Sequence, residues 1–291
     1  MTVRSFRFGV NMTVPDSRAR WIEKCRRAEE LGYDVIGVAD HLGMAPPFPA
    51  MILAAEATER VRLTTFVLNV PFYNPVLLAR DVAGADLFTD GRVELGLGAG
   101  YVKAEFDAAG IAFESGRRRV EQLAETVVTL RKSFAGEGFQ PHPVQPGGPP
   151  LLIAGWGERL LRLAAEHADI IGFTGAASAA DGHGLRIAGP TEFDARIAYL
   201  RGLLGGRDVE LNVLVQRVMT RDEQQELLRQ HAALLPAELV EHPGESPIFL
   251  TGSPAEIAER VRGHRERFGF SYLTVLEDSM ERFAPVIELL R

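Results

Sequence analysis

The 291-residue chain predicts an α/β fold, a (β/α)8 barrel. Three observations carry that reading. Short apolar runs alternate with amphipathic segments along the chain, the pattern of a parallel sheet wrapped by helices. Eight such runs occur, the number one barrel needs. Polar or glycine residues recur just beyond the ends of these runs, where a barrel collects its functional groups. An open doubly wound sheet is the rival for the same alternation. No low-complexity tract or charge block divides the chain, so one barrel domain is expected over residues 1–291.

The elements follow in order. Phe6–Val10 is the first strand candidate, and Arg18–Leu31 then sets Trp21, Cys25, Ala28 and Leu31 on one helical face, with Gly32 as the stop. Val35–Ala39 and Val61–Leu68 come next, and Asn74-Pro75 opens a helix with a cap and a first-turn proline. After Val93–Leu97, the segment Glu114–Phe134 keeps Val120, Leu123, Val127 and Leu130 on one stripe. Leu151–Ala154, Ile170–Phe173 and Val209–Val215 supply three more strands. Ser253-Pro254-Ala255-Glu256 is a capping box, Gly269 ends its helix, and Leu273–Glu277 completes the set. Two connections, Thr174–Gly189 and Arg221–Pro247, are longer than needed; insertions after barrel strands lie over the C-terminal face, which makes both candidate lids.

Composition narrows the function. By surface scaling, a chain this long buries about three quarters of its surface, enough for a large core. The net charge of −7, from 39 acidic and 32 basic residues, repels nucleic acid and anionic membranes on average, so neither is an expected partner. A single cysteine, Cys25, excludes an intrachain disulfide and a cysteine-cluster metal site. No apolar run approaches the roughly 20 residues of a membrane span, and Met1–Phe6 lacks a signal-peptide core. A soluble, cytoplasmic protein is expected.

The strand ends offer Asn11, Asp40-His41, Asn69, the run from Gly96 to Tyr101, Gly155-Trp156-Gly157, Thr174, Gln216-Arg217 and Glu277-Asp278. Asp40-His41 is a titratable pair that can position a ligand or handle a proton; the competing reading is a histidine satisfied by a turn. The other six histidines are scattered and no His-x-His follows the first strand, so no metal site is predicted. Asn11-Met12-Thr13 matches a glycosylation sequon, read as chance without a secretion signal. Gly96-Leu97-Gly98-Ala99-Gly100 fails the dinucleotide fingerprint, because Tyr101 stands where the final glycine belongs. Its glycines suit either a flat ligand or a tight strand exit. Gly157 precedes a helix whose free amides can bind phosphate, with Arg159 as a charged contact; a packed Trp156 in a glycine-rich turn is the equal alternative. There is no Gly-x-Ser-x-Gly elbow, no Walker loop, no lysine at a strand end, and Cys25 lies on a face predicted buried. A site so poor in acid–base groups suits a cofactor that carries the reaction itself.

Several stretches in this order carry a family resemblance. They are Ala28–Asp34 leading into Val38–His41, then Leu63–Leu68, Asn74–Ala79, Asp90–Tyr101 with Glu105-Phe106, Pro150–Gly155 and Gly252–Ala258. From Phe6 to Leu290 the chain resembles the luciferase-like flavin/deazaflavin oxidoreductases, and more closely their F420-dependent branch. The resemblance implies a TIM-like barrel with insertion segments and a coenzyme at the strand C-termini. It implies a cis peptide at Phe66–Val67 behind the ring, with Asn69, Ala99 and Gly100 along the ring's polar edge. It places the phosphate at Ala154–Gly157 and makes His41, after Asp40, an active-site residue. Similar proteins are often homodimers. In the deazaflavin-dependent sugar-phosphate dehydrogenases a glutamate stands where this chain has Tyr101, which argues against a sugar phosphate and leaves Tyr101 as pocket wall or hydrogen-bond donor.

The function expected is hydride transfer between coenzyme F420 and a small-molecule substrate, with His41 and Tyr101 at the chemistry. The alternative is an FMN-dependent monooxygenase using oxygen and externally reduced flavin. A cofactor-binding protein without turnover and a metal hydrolase stand further off.

Overall fold

Eight parallel strands pair in chain order and close on themselves. They are β1 (Arg7–Met12), β2 (Val35–Val38), β3 (Arg62–Thr65), β4 (Val93–Gly98), β5 (Leu151–Ala154), β6 (Ile170–Phe173), β7 (Glu210–Val215) and β8 (Phe270–Leu276). The closing contact sets Phe8 of β1 beside Leu273 of β8, which excludes the open sheet. The structure is a computed structural model and describes residues 4–136, 138–178 and 185–291.

Each expected strand is present. The last begins earlier than the apolar run suggested, at Phe270, and the third is interrupted. β3 stops at Thr65, the Phe66–Val67 peptide is cis, and Leu68–Asn69 pairs separately with β4. All four residues of β2, β5 and β6 are buried, as strands covered on both faces require.

Helices fill the outer ring where their caps predict. α1 (Arg18–Glu30) buries Trp21, Cys25 and Ala28 and is capped by Ser17. α2 (Pro47–Ala57) precedes β3. α3 (Pro75–Phe88) is capped by Asn74, and α5 (Gly116–Ala135) by Ser115. The short α4 (Lys103–Ala109) lies between them and ends at Gly110 in the left-handed region. α6 (Glu158–His167) and α7 (Pro190–Leu204) follow β5 and β6. α8 (Arg221–His231), α9 (Ala237–Glu241), α10 (Pro254–Phe268) and α11 (Met280–Leu290) complete the chain. The capping box at Ser253 and Glu256 forms, and Thr220 with Glu223 forms a second on α8. Among the described residues no helix is long and apolar enough to cross a membrane.

The two longer connections part company. In the first, Ala176–Ser178 pairs antiparallel with Leu185–Ile187, and Thr174 and Ala176 reach the cleft described below; its residues 179–184 lie outside those described. The second, 221–247, lines none of the cleft. Arg282 on α11 reaches Glu223, and Arg221 pairs with Glu256 on α10, so this segment is tied to the outer helices. α4 and the start of α5 do line the cleft, through Glu105, Gly116, Arg119 and Val120.

Candidate active site

A cleft of about 1020 Å3 opens at the C-terminal ends of the strands. Every expected site residue lines it: Asp40, His41, Phe66, Val67, Asn69, Ala99, Gly100, Tyr101, Ala154, Gly155, Trp156, Gly157 and Arg159.

Asp40 and His41 follow β2 and look in different directions. The Asp40 carboxylate accepts from the Asn69 amide at 2.8 Å and from the Tyr73 hydroxyl at 3.0 Å, which ties β2 to the turn after Asn69. Burial pushes its pKa up, against the pull of those two donors and of His41. His41 Nδ1 instead lies 2.8 Å from Glu105 Oε1 on α4. The Tyr101 ring stands edge-on to the imidazole, 5.7 Å between centroids, and burial followed by the Glu105 charge raises the Tyr101 phenol. His41 is thus hydrogen-bonded to Glu105, while its charge is also felt by Asp40.

The glycines of β4 answer to packing. A Cβ on Gly96 would fall 1.9 Å from the Thr65 carbonyl oxygen, and one on Gly98 would fall 2.7 Å from Val67 Cγ2. Thr65 Oγ1 donates to the Gly96 carbonyl and accepts from its amide, stitching the two strands together. Gly100 has φ +71° and leaves 2.2 Å between its would-be Cβ and Asn69 Oδ1. These positions admit the interrupted third strand, so the strand-exit reading accounts for them. On the floor, the side-chain oxygens of Asn11 and Asn69 are buried without a partner.

The other end of the cleft is built on α6. Trp156 is buried, donates its indole N–H to Glu192 at 2.7 Å and packs edge-on to Phe193. Its indole is thus a core anchor, and a Cβ on Gly155 would strike Leu160. Gly157 has no side chain to cap α6, and a Cβ there would meet nothing within 4 Å. The first amides of α6 thus lack the side-chain cap that serves α1, α3, α5, α8 and α10. Arg159 is exposed beside them, and Arg162 and Arg196 line the same cleft, each 3.7 Å from Glu158. This is an anion-binding arrangement.

Some residues at strand ends are not functional groups of the cleft. Glu277 clamps the chain after β1, accepting from the Thr13 and Val14 amides and from Lys24. Arg217, Glu277 and Asp278 do not line the cleft, whereas Asn11, Thr174 and Gln216 do. Cys25 is fully buried, and desolvation pushes its thiol up to about 12, too high for a nucleophile. Glu105, Arg119, Arg162 and Arg196 were missed as site residues. Arg159 and Arg162 are three apart on α6, a same-face spacing that would have linked them.

Residues 2–272 match the family described as luciferase-like monooxygenase. The chain belongs to that family. Among its relatives, 5,10-methylenetetrahydromethanopterin reductase of Archaeoglobus fulgidus is 29% identical over 172 residues, 56% of this chain and 51% of that one. F420-dependent glucose-6-phosphate dehydrogenase of Amycolatopsis mediterranei is 34% identical over 125 residues, 40% of this chain and 38% of that one. The chain thus spans about half, or less, of the length of these relatives. The solved coenzyme F420-dependent tetrahydromethanopterin reductase of Methanopyrus kandleri superposes with a TM-score of 0.75 over 99% of this luciferase-like chain and 100% of that one, at 16% identity, a likeness of fold.

Proposed function

We propose that this luciferase-like protein is an oxidoreductase passing a hydride between coenzyme F420 and a small organic substrate held in the cleft. One observation carries the reading: His41, held through Nδ1 by Glu105, lines the cleft with its other ring nitrogen unclaimed by any described residue. Hydride leaving a carbon that bears a hydroxyl must be matched by a proton, and an imidazole is suited to take it. The F420-dependent glucose-6-phosphate dehydrogenase among its relatives supports the same choice.

The residues fit such a coenzyme. Phe66, Val67, Asn69 and the Ala99-Gly100 backbone would hold a flat ring, and Asn69 Oδ1 is a buried acceptor still lacking a donor. A phosphate suits the uncapped start of α6 after Ala154–Gly157, with Arg159 adding charge. When bound, the deazaflavin supplies the carbon that accepts or delivers the hydride. The protein holds the ring, walls off the substrate with Tyr101, and moves a proton at His41.

The second reading is an FMN-dependent monooxygenase, favoured by the monooxygenases for which the family is described. A side-by-side fluorescence titration of the protein with F420 and FMN at matched salt tests the two. Tight F420 binding with weaker FMN is expected; FMN preference would replace the proposal with the monooxygenase. Retained coenzyme binding with lost turnover in His41→Ala separates an enzyme from a storage protein.

A further inference from the structure

Glu105 sits on α4, four positions beyond Tyr101, and faces His41 across 64 residues of sequence. Its Oε1 is 2.8 Å from Nδ1, its other oxygen is buried without a partner, and the pair is only 27% and 15% exposed. The other acidic groups on the cleft are committed elsewhere. Asp40 serves the Asn69 amide and Tyr73, and Glu158 faces Arg162 and Arg196. Among the described residues lining the cleft, Glu105 is the carboxylate hydrogen-bonded to an imidazole.

We propose that Glu105 is the positioning residue for His41 and that the substrate is an alcohol–carbonyl couple seated by its oxygen on His41 Nε2. The inference rests on the hydride-transfer reading above. An ionised carboxylate can only accept, so the neutral imidazole bonded to it carries its proton on Nδ1 and turns a lone pair on Nε2 to the cleft. As the alcohol carbon gives its hydride to the deazaflavin, the hydroxyl proton passes to Nε2 and the carbon–oxygen double bond forms. The carboxylate of Glu105 then faces an imidazolium, which it stabilises. In reverse, the same nitrogen returns the proton to the carbonyl oxygen as hydride arrives. Atoms and electrons balance with no further reactant. A cationic carbon–nitrogen double bond would take up hydride alone and leave this pair without a task, so the pair selects oxygen-bearing substrates.

Two readouts test this. Long-range proton–nitrogen NMR of His41 in the free protein, recorded across a pH series, needs neither coenzyme nor turnover. Wild type should give a single Nδ1–H tautomer, and Glu105→Ala should shift the population to Nε2–H, the form imidazole favours in water. An unchanged tautomer in Glu105→Ala, or an Nε2–H wild type, overturns the positioning role. In the second readout, F420-bound protein is assayed on a panel of primary and secondary alcohols and their carbonyls. The near-isosteric Glu105→Gln should lower kcat about 10²-fold with KM nearly unchanged and F420 affinity retained. Unchanged kcat in Glu105→Gln overturns the role, and a panel on which F420-bound wild type is inactive overturns the substrate assignment. Failure of wild type to bind F420 instead sinks the coenzyme reading, while the tautomer result stands apart from it.

Discussion

The two ends of one barrel treat charge in opposite ways. At the N-terminal floor, Arg7 at the start of β1 pairs with Glu94 of β4 and Glu210 of β7, and Arg62 adds a second bond to Glu94 at 2.7 Å. Tyr272 lies under the Arg7 guanidinium, 4.7 Å from carbon to ring centroid. Burial opposes the charge on Arg7, but Glu94, Tyr272 and Glu210 outweigh it and hold its pKa above the ordinary range. At the C-terminal mouth, the guanidiniums of Arg119 and Arg159 line the cleft with no acidic partner among the described residues. Arg119 is spent on the Gly100 and Glu114 carbonyls and the Phe113 ring, and desolvation lowers its pKa. Each end leaves one carboxylate oxygen without a partner, on Glu94 and on Glu105, so the contrast is one of net charge. At the floor each charge is matched within the protein, whereas at the mouth the exposed Arg159 has no acidic partner among the described residues and is open to a ligand.

The sharpest way to break the contrast is Arg7→Ala. It leaves the Glu210 carboxylate unpaired in the interior, while Glu94 keeps Arg62, and should cost about 3–5 kcal/mol in chemical denaturation. F420 affinity of the molecules that remain folded should be unchanged. A variant with intact stability but lost binding would show that the floor serves the site.

His264 on α10 gives a third case, a buried base facing like charge. Desolvation, with Arg260 and Arg267 adding repulsion, lowers its pKa to about 4 from 6.5. The folded state thus binds fewer protons than the unfolded chain between those values, so stability is full above 6.5 and falls as pH drops toward 4. The loss should be about 3 kcal/mol. Thermal melts of wild type and His264→Gln across that window check it, since the variant should lose less; equal acid sensitivity in both would remove His264 as the source.

The floor and the mouth were unequally legible in the sequence. All eight strands were readable because a sheet buried on both faces needs unbroken apolar runs. The break at Phe66–Val67 was not marked by any breaker residue and came only through family resemblance. Asp40 and His41, adjacent in sequence, both line the cleft but take different partners, Asn69 and Tyr73 for the first and Glu105 for the second. The Glu105 contact was not legible because it depends on the placement of α4. Residues 221–247 misled for another reason. A long polar helix after a strand suggests a lid, but its arginine and glutamate partners lie on α10 and α11, which sequence spacing alone does not reveal.

Gly157→Asp sharpens the comparison at the mouth. A carboxylate there can cap α6 and also repel the phosphate expected at its amides, so the helix should hold while F420 affinity falls about tenfold, or about 1.4 kcal/mol. Unchanged affinity by fluorescence titration would move the phosphate away from α6.

Tyr101 should give the smallest effect, and it separates wall from recognition group. The ring is half exposed and stacks edge-on against His41, and its phenol stays protonated because burial and Glu105 both oppose ionisation. Tyr101→Phe keeps the ring contact and removes only the hydroxyl, so a pocket wall predicts less than about a threefold change in ligand affinity. Tyr101→Ala removes the ring contact as well, and should cost about 0.5–1.5 kcal/mol by calorimetry. If Tyr101→Phe instead matches the loss in Tyr101→Ala, the phenol itself holds the ligand. The mouth would then possess a neutral donor for a ligand, whereas the floor's Tyr272 turns its ring to Arg7.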